Sequence, residues 1–419
     1  MFTQSLAWPT VATSPPGVPF AATPRAQRPP VATTPEVDDL INRGAVVAIG
    51  VSGGKDSDAV ALAVAAHLDR VGHRGPRVLI HSDLGRVEWR ESLASCERLA
   101  TKLGMELLVV RRAAGDLLAR WQSRWAANVE RYKALSCVTL ILPWSTPSMR
   151  FCQSESKLAV ICQALRKRWP SEDIVNVTGI RRQESAARSK MPVSSTVTKL
   201  QRKLAAGISW NAIIEWKVED VFGEIADAGL SLHEAYTVYG ASRVSCAFCI
   251  MSTARDLAAG VSCEDNQDVY RSMVELEAVS TFAFQGNRWL ADVAPQLLSV
   301  ELRERIDVAK RKATQRVAAE KEIPKHLLFT AGWPSVMPTP SEADVLASVR
   351  RRVADAVGLQ IGVTTGAAVI ERYRDLMTLR SERAAAASPK DGDDDAVPAS
   401  ATTVCGGAAP GHHQASASS

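Results

Sequence analysis

In Ser52-Gly53-Gly54-Lys55-Asp56-Ser57, two hydroxyls, a cation and a carboxylate surround a pair of glycines. Glycines let the backbone approach a bound group closely. Where such a turn opens a helix, its N–H groups and the helix dipole favour an anion. Lys55 adds a cation, and Ser52 and Ser57 add hydroxyl donors. The chemistry this composition suits is phosphate binding, with Lys55 and the loop N–H groups neutralising charge that develops on phosphoryl oxygens. Asp56, or Asp83 farther along the chain, would orient Mg2+ if ATP is cleaved. The common phosphate loop requires glycine at position 49 and a hydroxyl residue at 56. This chain has Ile49 and Asp56 there, so the loop is of another kind.

Two further groups of polar residues stand at the ends of apolar runs. Ser82-Asp83-Leu84-Gly85-Arg86 offers a carboxylate and a flexible glycine that could meet a ribose or adenine or help position a metal. Gly179-Ile180-Arg181-Arg182-Gln183-Glu184-Ser185, continuing to Arg188, offers guanidinium forks for phosphate or sulfate oxygens. Glu184 and Arg188 are four apart and suited to pair on a helix surface, which leaves Arg181 as the expected substrate contact.

The chain has eight cysteines, too few for its length to imply a disulfide scaffold. Cys96 and Cys162 sit among apolar neighbours in helical stretches and read as buried thiols. Cys246-Ala247-Phe248-Cys249 is a metal half-site or a redox pair. Cys152, with Cys263 or Cys137 as a fourth, makes a four-thiolate site conceivable, and such a site suits zinc or an iron–sulfur cluster. Unliganded thiols or a simple redox switch are the plainer alternatives. Cys405, His412 and His413 belong to a low-complexity tail.

Stepping from these residues to what holds them, Ala45 to Ile49 reads as a buried strand and Ala59 to Leu68 as a helix. Arg77–Asp83, Glu106–Arg111 and Ile174–Gly179 read as further strands, with helices between, one from Trp89 to Leu103 and another containing Trp121 and Trp125. This alternation predicts an α/β fold, a doubly wound parallel sheet with crossover helices. Ligands of such sheets bind outside the carboxyl ends of the strands, where all three polar groups fall. From about Ser209 the pattern turns helical, with amphipathic helices over 296–322 and 341–379 joined near Ala331-Gly332-Trp333-Pro334.

Pro-, Ala- and Ser-rich compositions over 1–36 and 384–419 predict disordered tails dispensable for the chemistry. Between them the expected units are a domain over 37–290 and a helical extension over 291–383. The net charge of +5 only weakly favours anionic partners. No window is apolar enough for a membrane span, and the N-terminus lacks a secretion signal, so a soluble cytoplasmic protein is expected.

Over roughly residues 45–290, these motifs resemble the phosphoadenosine phosphosulfate (PAPS) reductase family of PP-loop ATP pyrophosphatases. SGGKDS at 52–57 is that group's nucleotide loop, and Gly179–Ser185 is similar to its GxRxxES element. Ser209-Trp210 with Trp216–Phe222 resembles the helix start that follows. Arg150-Phe151-Cys152 and Cys246-x-x-Cys249 resemble the cluster cysteines of the iron–sulfur branch, which includes assimilatory reductases and the DNA-phosphorothioation sulfurtransferase DndC. The resemblance implies an adenine nucleotide alpha hydrolase-like fold and ATP or PAPS bound by Ser52, Gly53, Gly54, Lys55, Asp56, Ser57, Asp83, Gly179, Arg181 and Arg188. It implies catalytic roles for Lys55, Asp56 and Arg181, and a 4Fe-4S cluster, rather than zinc, on Cys152, Cys246, Cys249 and Cys263. It also implies a sulfur donor or thiol reductant protein as partner, and a nucleic acid as one class of sulfur acceptor. Two positions depart from the family pattern. Phe151 stands where reductases carry a second cysteine, and Val404-Cys405-Gly406-Gly407 lacks the Glu, Leu and His of the reductase's mobile thiol motif. Sulfonucleotide reduction and ATP-dependent sulfur transfer therefore both stay open, beside a nucleotide-binding regulator without turnover.

Overall fold

A computed structural model describes residues 28–329 and 333–387. The chain opens with α1 (Pro35–Asn42), capped by Thr34, whose hydroxyl accepts the Val37 N–H. The sheet then alternates with helices: β1 (Val46–Val51), α2 (Lys55–Arg70), β2 (Arg77–Asp83), α3 (Glu91–Leu103) and β3 (Glu106–Arg111). α4 (Leu117–Lys133) follows, capped by Asp116. Next come a single turn α5 (Phe151–Gln153), a π-helical turn (Ser154–Leu158) and α6 (Ala159–Arg168). β4 (Ile174–Val177), α7 (Ala186–Ser189), β5 (Ser194–Thr196) and β6 (Gly207–Trp210) complete the sheet.

The strand order is β3-β2-β1-β4-β6-β5. All neighbours are parallel except β5, an antiparallel edge strand on β6. Helices cover both faces. On one side Val47, Ile49 and Val51 pack against α1, α2, α3 and the later helix α8 (Val218–Asp227). On the other, Val46, Ala48, Val78 and Ile80 pack against Cys162 and Leu165 of α6. Both faces of β1 are thus buried, which is why Ala45–Ile49 reads as one apolar run rather than an alternating one. The doubly wound arrangement matches the expectation. The short strands β5 and β6 were not legible, and Ser209-Trp210, read as the start of helical chain, ends β6.

The order reverses at β1, whose neighbours β2 and β4 run to opposite sides. This is a topological switch point, and in such sheets the crevice there receives the ligand. The loops after β1 and β4, carrying Lys55 and Arg181, flank it.

The rest of the chain is helical: α9 (Glu234–Thr237), α10 (Ala254–Ser262), α11 (Gln267–Ser280), α12 (Val300–Glu320), α13 (Pro340–Val357) and α14 (Gly366–Ala387). The single helix expected over 341–379 is two, because Gly358 ends α13 in a left-handed conformation, φ 84°. Part of the expected turn at 331–334 lies outside the described residues.

The expected boundary at 291 does not separate two cores. One hydrophobic cluster joins Trp121, Trp125 and Tyr132 of α4 to Ile306, Leu346, Val369 and Tyr373 of the last three helices. Arg350 is fully buried, with its guanidinium 4.7 Å from the Tyr132 ring centroid. The expected tail boundary at 36 lies too far into the chain. Residues 28–36 pack on the domain: the indole N–H groups of Trp210 and Trp216 donate to the Ala32 and Pro30 carbonyls at 2.7 and 3.0 Å, and Arg28 pairs with buried Glu224 at 2.7 Å. Prolines in this stretch remove backbone donors while leaving the carbonyls that the indoles use. α14 continues to Ala387, eight residues beyond the expected helix end at 379 and four beyond the expected extension end at 383. Cys405, His412 and His413 lie outside the described residues.

Candidate active site

The Ser52–Ser57 loop closes on itself. Ser57 Oγ donates to the Gly54 carbonyl at 2.7 Å and accepts the Ser52 N–H at 3.2 Å, so one hydroxyl fixes both ends. Gly53 has φ 70°, and a Cβ there would lie 2.9 Å from the Ser92 carbonyl. Both facts restrict that position to glycine. Gly54 is the N-cap of α2 and supplies no side-chain capping bond of its own. Lys55 is buried, and its ammonium lies 3.3 Å from Asp56 Oδ2 and 5.2 Å from the Tyr236 ring centroid. In the same first turn of α2, burial pushes the Asp58 carboxyl up to about 7, opposed by the Ser57 hydroxyl and Arg98.

The Gly179–Ser185 loop lies on the first turn of α2. A Cβ on Gly179 would fall 2.5 Å from the Asp56 carbonyl oxygen, so only glycine allows this approach. Arg181, buried, donates through Nε to Asp56 Oδ1 at 2.6 Å and through a terminal nitrogen to Gln183 Oε1 at 2.9 Å. Gln183 Oε1 also accepts the N–H of Val218 at 2.8 Å, tying the loop to the start of α8. Arg188 pairs with Glu184, which also accepts the Arg181 N–H at 3.0 Å. Lys55, Asp56 and Arg181 therefore converge, while Arg188 is held one step away.

Asp83 is placed at the end of β2 and turned toward β3. One oxygen accepts the Gly85 N–H at 2.7 Å, and the other pairs with Arg111 at 2.9 Å.

The cysteines divide. Cys246 bridges Glu88 in an antiparallel backbone pair, and the Ala247 N–H donates to the Val87 carbonyl at 2.8 Å. The CxxC segment is therefore stitched to the chain that leaves β2. Burial raises the Cys246 pKa, and the neighbouring Cys249 and, more weakly, Cys152 raise it further, while Lys157 opposes them. Cys249 and Cys152 are thus both near Cys246. Cys263 is buried beside Tyr239 and, chiefly through its hydrogen bond, holds that phenol up at about 12. Cys137 is buried near Arg350 and Glu320, in the cluster that α4 shares with the last helices.

An all-thiol donor set fits iron or zinc in its chemistry. Among the described residues, no group of three or more His, Cys, Asp or Glu side chains stands at metal-holding spacing. Phe151, next to Cys152, is held in an arginine cluster. Its ring lies beneath the guanidinium groups of Arg120 and Arg124, 4.9 and 4.8 Å from its centroid, and Arg120 forks onto Glu155 at 2.7 and 3.1 Å. The π-helical turn after Cys152 directs the Ser156 carbonyl to the Ser82 hydroxyl, 2.5 Å away, joining the Cys152 segment to the end of β2.

Two residues that sequence reasoning passed over stand between these parts. Tyr236 Oη accepts the Lys55 N–H at 3.2 Å. His81, buried in β2, lies 3.1 Å from the Val51 carbonyl and 3.1 Å from Glu88 Oε2. Burial pulls the His81 pKa down, but Cys96 and Glu88 outweigh it and raise it to about 10, so the ring is an imidazolium at neutral pH. The sequence signal for His81 was a polar residue inside an otherwise apolar strand; Tyr236 gave none.

Among the described residues no helix is long and apolar enough to cross a membrane. Two solved structures show distant similarity. One is phosphoadenylyl-sulfate (PAPS) reductase from Candida auris in a phosphate complex, 13% identical over 52% of this chain and 98% of that one, with a TM-score of 0.31. The other is the U34-tRNA thiolase NcsA from Methanococcus maripaludis with its 4Fe-4S cluster, 12% identical over 66% of this chain and 75% of that one, with a TM-score of 0.25. No curated protein matches the chain. Residues 46–251, from the first residue of β1 to just past the CxxC, match the phosphoadenosine phosphosulfate reductase domain, so this part of the chain is a domain of the PAPS reductase family.

Proposed function

We propose that the protein is an enzyme that binds an adenine nucleotide, ATP or PAPS, on residues 52–57 and carries out sulfur transfer or sulfonucleotide reduction at the thiols of Cys152, Cys246 and Cys249. The observation that carries this reading is the connection between the two centres. The segment leading into the CxxC lies on the nucleotide loop through Lys55, and the CxxC itself is paired to the chain leaving β2.

In this reading Lys55 and the loop N–H groups take up charge developing on phosphoryl oxygens. Arg181 holds an anionic part of the substrate, and Asp56 keeps that guanidinium in place and orients Mg2+ when ATP is the nucleotide. Cys152, Cys246 and Cys249, with Cys263 as the proposed fourth, would hold a 4Fe-4S cluster, zinc being the alternative. Such a cluster supplies electrons or a site for sulfur. A sulfur donor or thiol reductant protein would complete turnover.

A nucleic acid as sulfur acceptor is supported by a separate feature. A cavity of about 390 Å³ on α6 is lined by Gln163, Arg166, Lys167 and Lys199 beside Cys162, a composition suited to backbone phosphates.

Calorimetric titration of anaerobically purified protein with ATP and with PAPS tests the reading. Binding of at least one nucleotide, lost in Lys55→Ala, is expected, together with iron that disappears in Cys246→Ser. Equal nucleotide affinity in wild type and Lys55→Ala would overturn it.

A further inference from the structure

The nucleotide loop is in contact with a phenol. Tyr236 Oη accepts two backbone N–H groups, from Lys55 at the start of α2 at 3.2 Å and from Val244 at 3.1 Å. A phenol oxygen accepting two amides at a helix N-terminus stands in the surroundings that a phosphoryl oxygen seeks there. The Lys55 ammonium reaches the same segment, donating to the Ser242 carbonyl at 3.4 Å. Ser242 is anchored from behind, its N–H and hydroxyl both donating to Asp256 Oδ1, at 2.7 and 2.9 Å. Two of the loop's cationic and N–H donors are thus engaged by residues 236–244, and Cys246 follows directly.

We propose that Tyr236 is a positioning residue that stands in for a phosphoryl oxygen on the nucleotide loop, and that nucleotide binding displaces it and so repositions the segment carrying Cys246 and Cys249. This rests on the nucleotide reading above. Three features give the exchange its logic. The Lys55 amide cannot donate fully to both a phenol and a phosphate, so the two compete. The Lys55 ammonium, released from the Ser242 carbonyl, gains a phosphate, a stronger charge-assisted partner. Val244, the other N–H donor to the phenol, lies two residues before Cys246, so displacing Tyr236 frees the backbone next to the CxxC. The consequence is order: the thiols take their working arrangement only when the nucleotide is in place, which protects a thiol-held sulfur or an electron pair from idle reaction.

Hydrogen–deuterium exchange on the full chain with and without saturating ATP, and separately PAPS, reads the displacement. Protection over 236–249 is expected to fall on binding. Calorimetry on Tyr236→Phe, which keeps the ring and removes the competing oxygen, is expected to give roughly 5- to 30-fold tighter nucleotide binding, the weight of one to two hydrogen bonds. Unchanged or increased protection over 236–249, or affinity in Tyr236→Phe equal to or weaker than wild type, overturns the displacement. If neither protein binds either nucleotide, the nucleotide reading falls with it. If wild type binds but the segment does not respond, the displacement alone is refuted.

Discussion

Arg181 and Asp56 are 125 residues apart in sequence, yet the guanidinium Nε lies 2.6 Å from the carboxylate Oδ1, joining the loops after β4 and β1 across the switch point of the sheet. Asp56 is the second residue of α2, and Arg181 is buried against it. The pair fixes the fork of Arg181 with one nitrogen on Asp56 and another on Gln183. A single ammonium cannot span both partners. Arg181→Lys is therefore expected to keep the fold and lose about 10²-fold or more in kcat/KM. Arg181→Ala should also lower stability, though by less than loss of a sole partner would, because Lys55 still pairs with the Asp56 carboxylate. Steady-state kinetics beside urea unfolding separate the two effects, and full activity in Arg181→Lys would remove Arg181 from the site.

His81 makes stability depend on alkaline pH. Its folded pKa, about 10, lies above the ordinary 6.5, so the ion pair with Glu88 contributes fully below about pH 6.5 and is lost as pH rises toward 10. Urea midpoints measured from pH 6.5 to 10 should fall more steeply in wild type than in His81→Gln. Parallel curves would show that His81 is neutral in the folded protein.

The thiols are expected to behave unequally. Cys152→Ser, Cys246→Ser and Cys249→Ser should each abolish bound iron in anaerobic preparations. Cys137→Ser should retain it, because Cys137 is packed in the core of the last helices. Iron and sulfide analysis of the four variants decides this, and retention of iron in Cys246→Ser would place the metal elsewhere.

Trimming distinguishes the packed stretch before α1 from the segments beyond it. A chain of residues 28–387 is expected to match the full chain in activity. One beginning at 37 should unfold at lower urea, since it removes the carbonyls that Trp210 and Trp216 use and exposes Glu224 without Arg28. Equal midpoints for the two would show that those contacts contribute nothing net.

Much of this site was legible from local pattern. β1, the glycine loop and α2 are contiguous, so their residues announce one another, and the polar ends of β2 and β4 followed from strand topology. What escaped depends on distance in sequence. Tyr236 meets Lys55 across 181 residues, and nothing around Tyr236 marks it. β6 is four residues long and lies among helix-like neighbours, too short for a period to show. Residues 28–36 have the composition of a tail, but their carbonyls are held by two tryptophans whose positions only the fold brings near. Cys137 and Cys263 are equally placed in sequence relative to the other thiols, and burial against different elements separates them.

The central claim is that one chain couples an adenine nucleotide to sulfur chemistry at Cys152, Cys246 and Cys249. Its most direct test is product analysis: incubate anaerobically purified protein with ATP and a sulfur donor, or with PAPS and a thiol reductant, and quantify pyrophosphate and sulfite. The account predicts that one of the two products forms, and that Lys55→Ala and Cys246→Ser each abolish it. Tight nucleotide binding with neither product would contradict it and leave a nucleotide-binding regulator in its place.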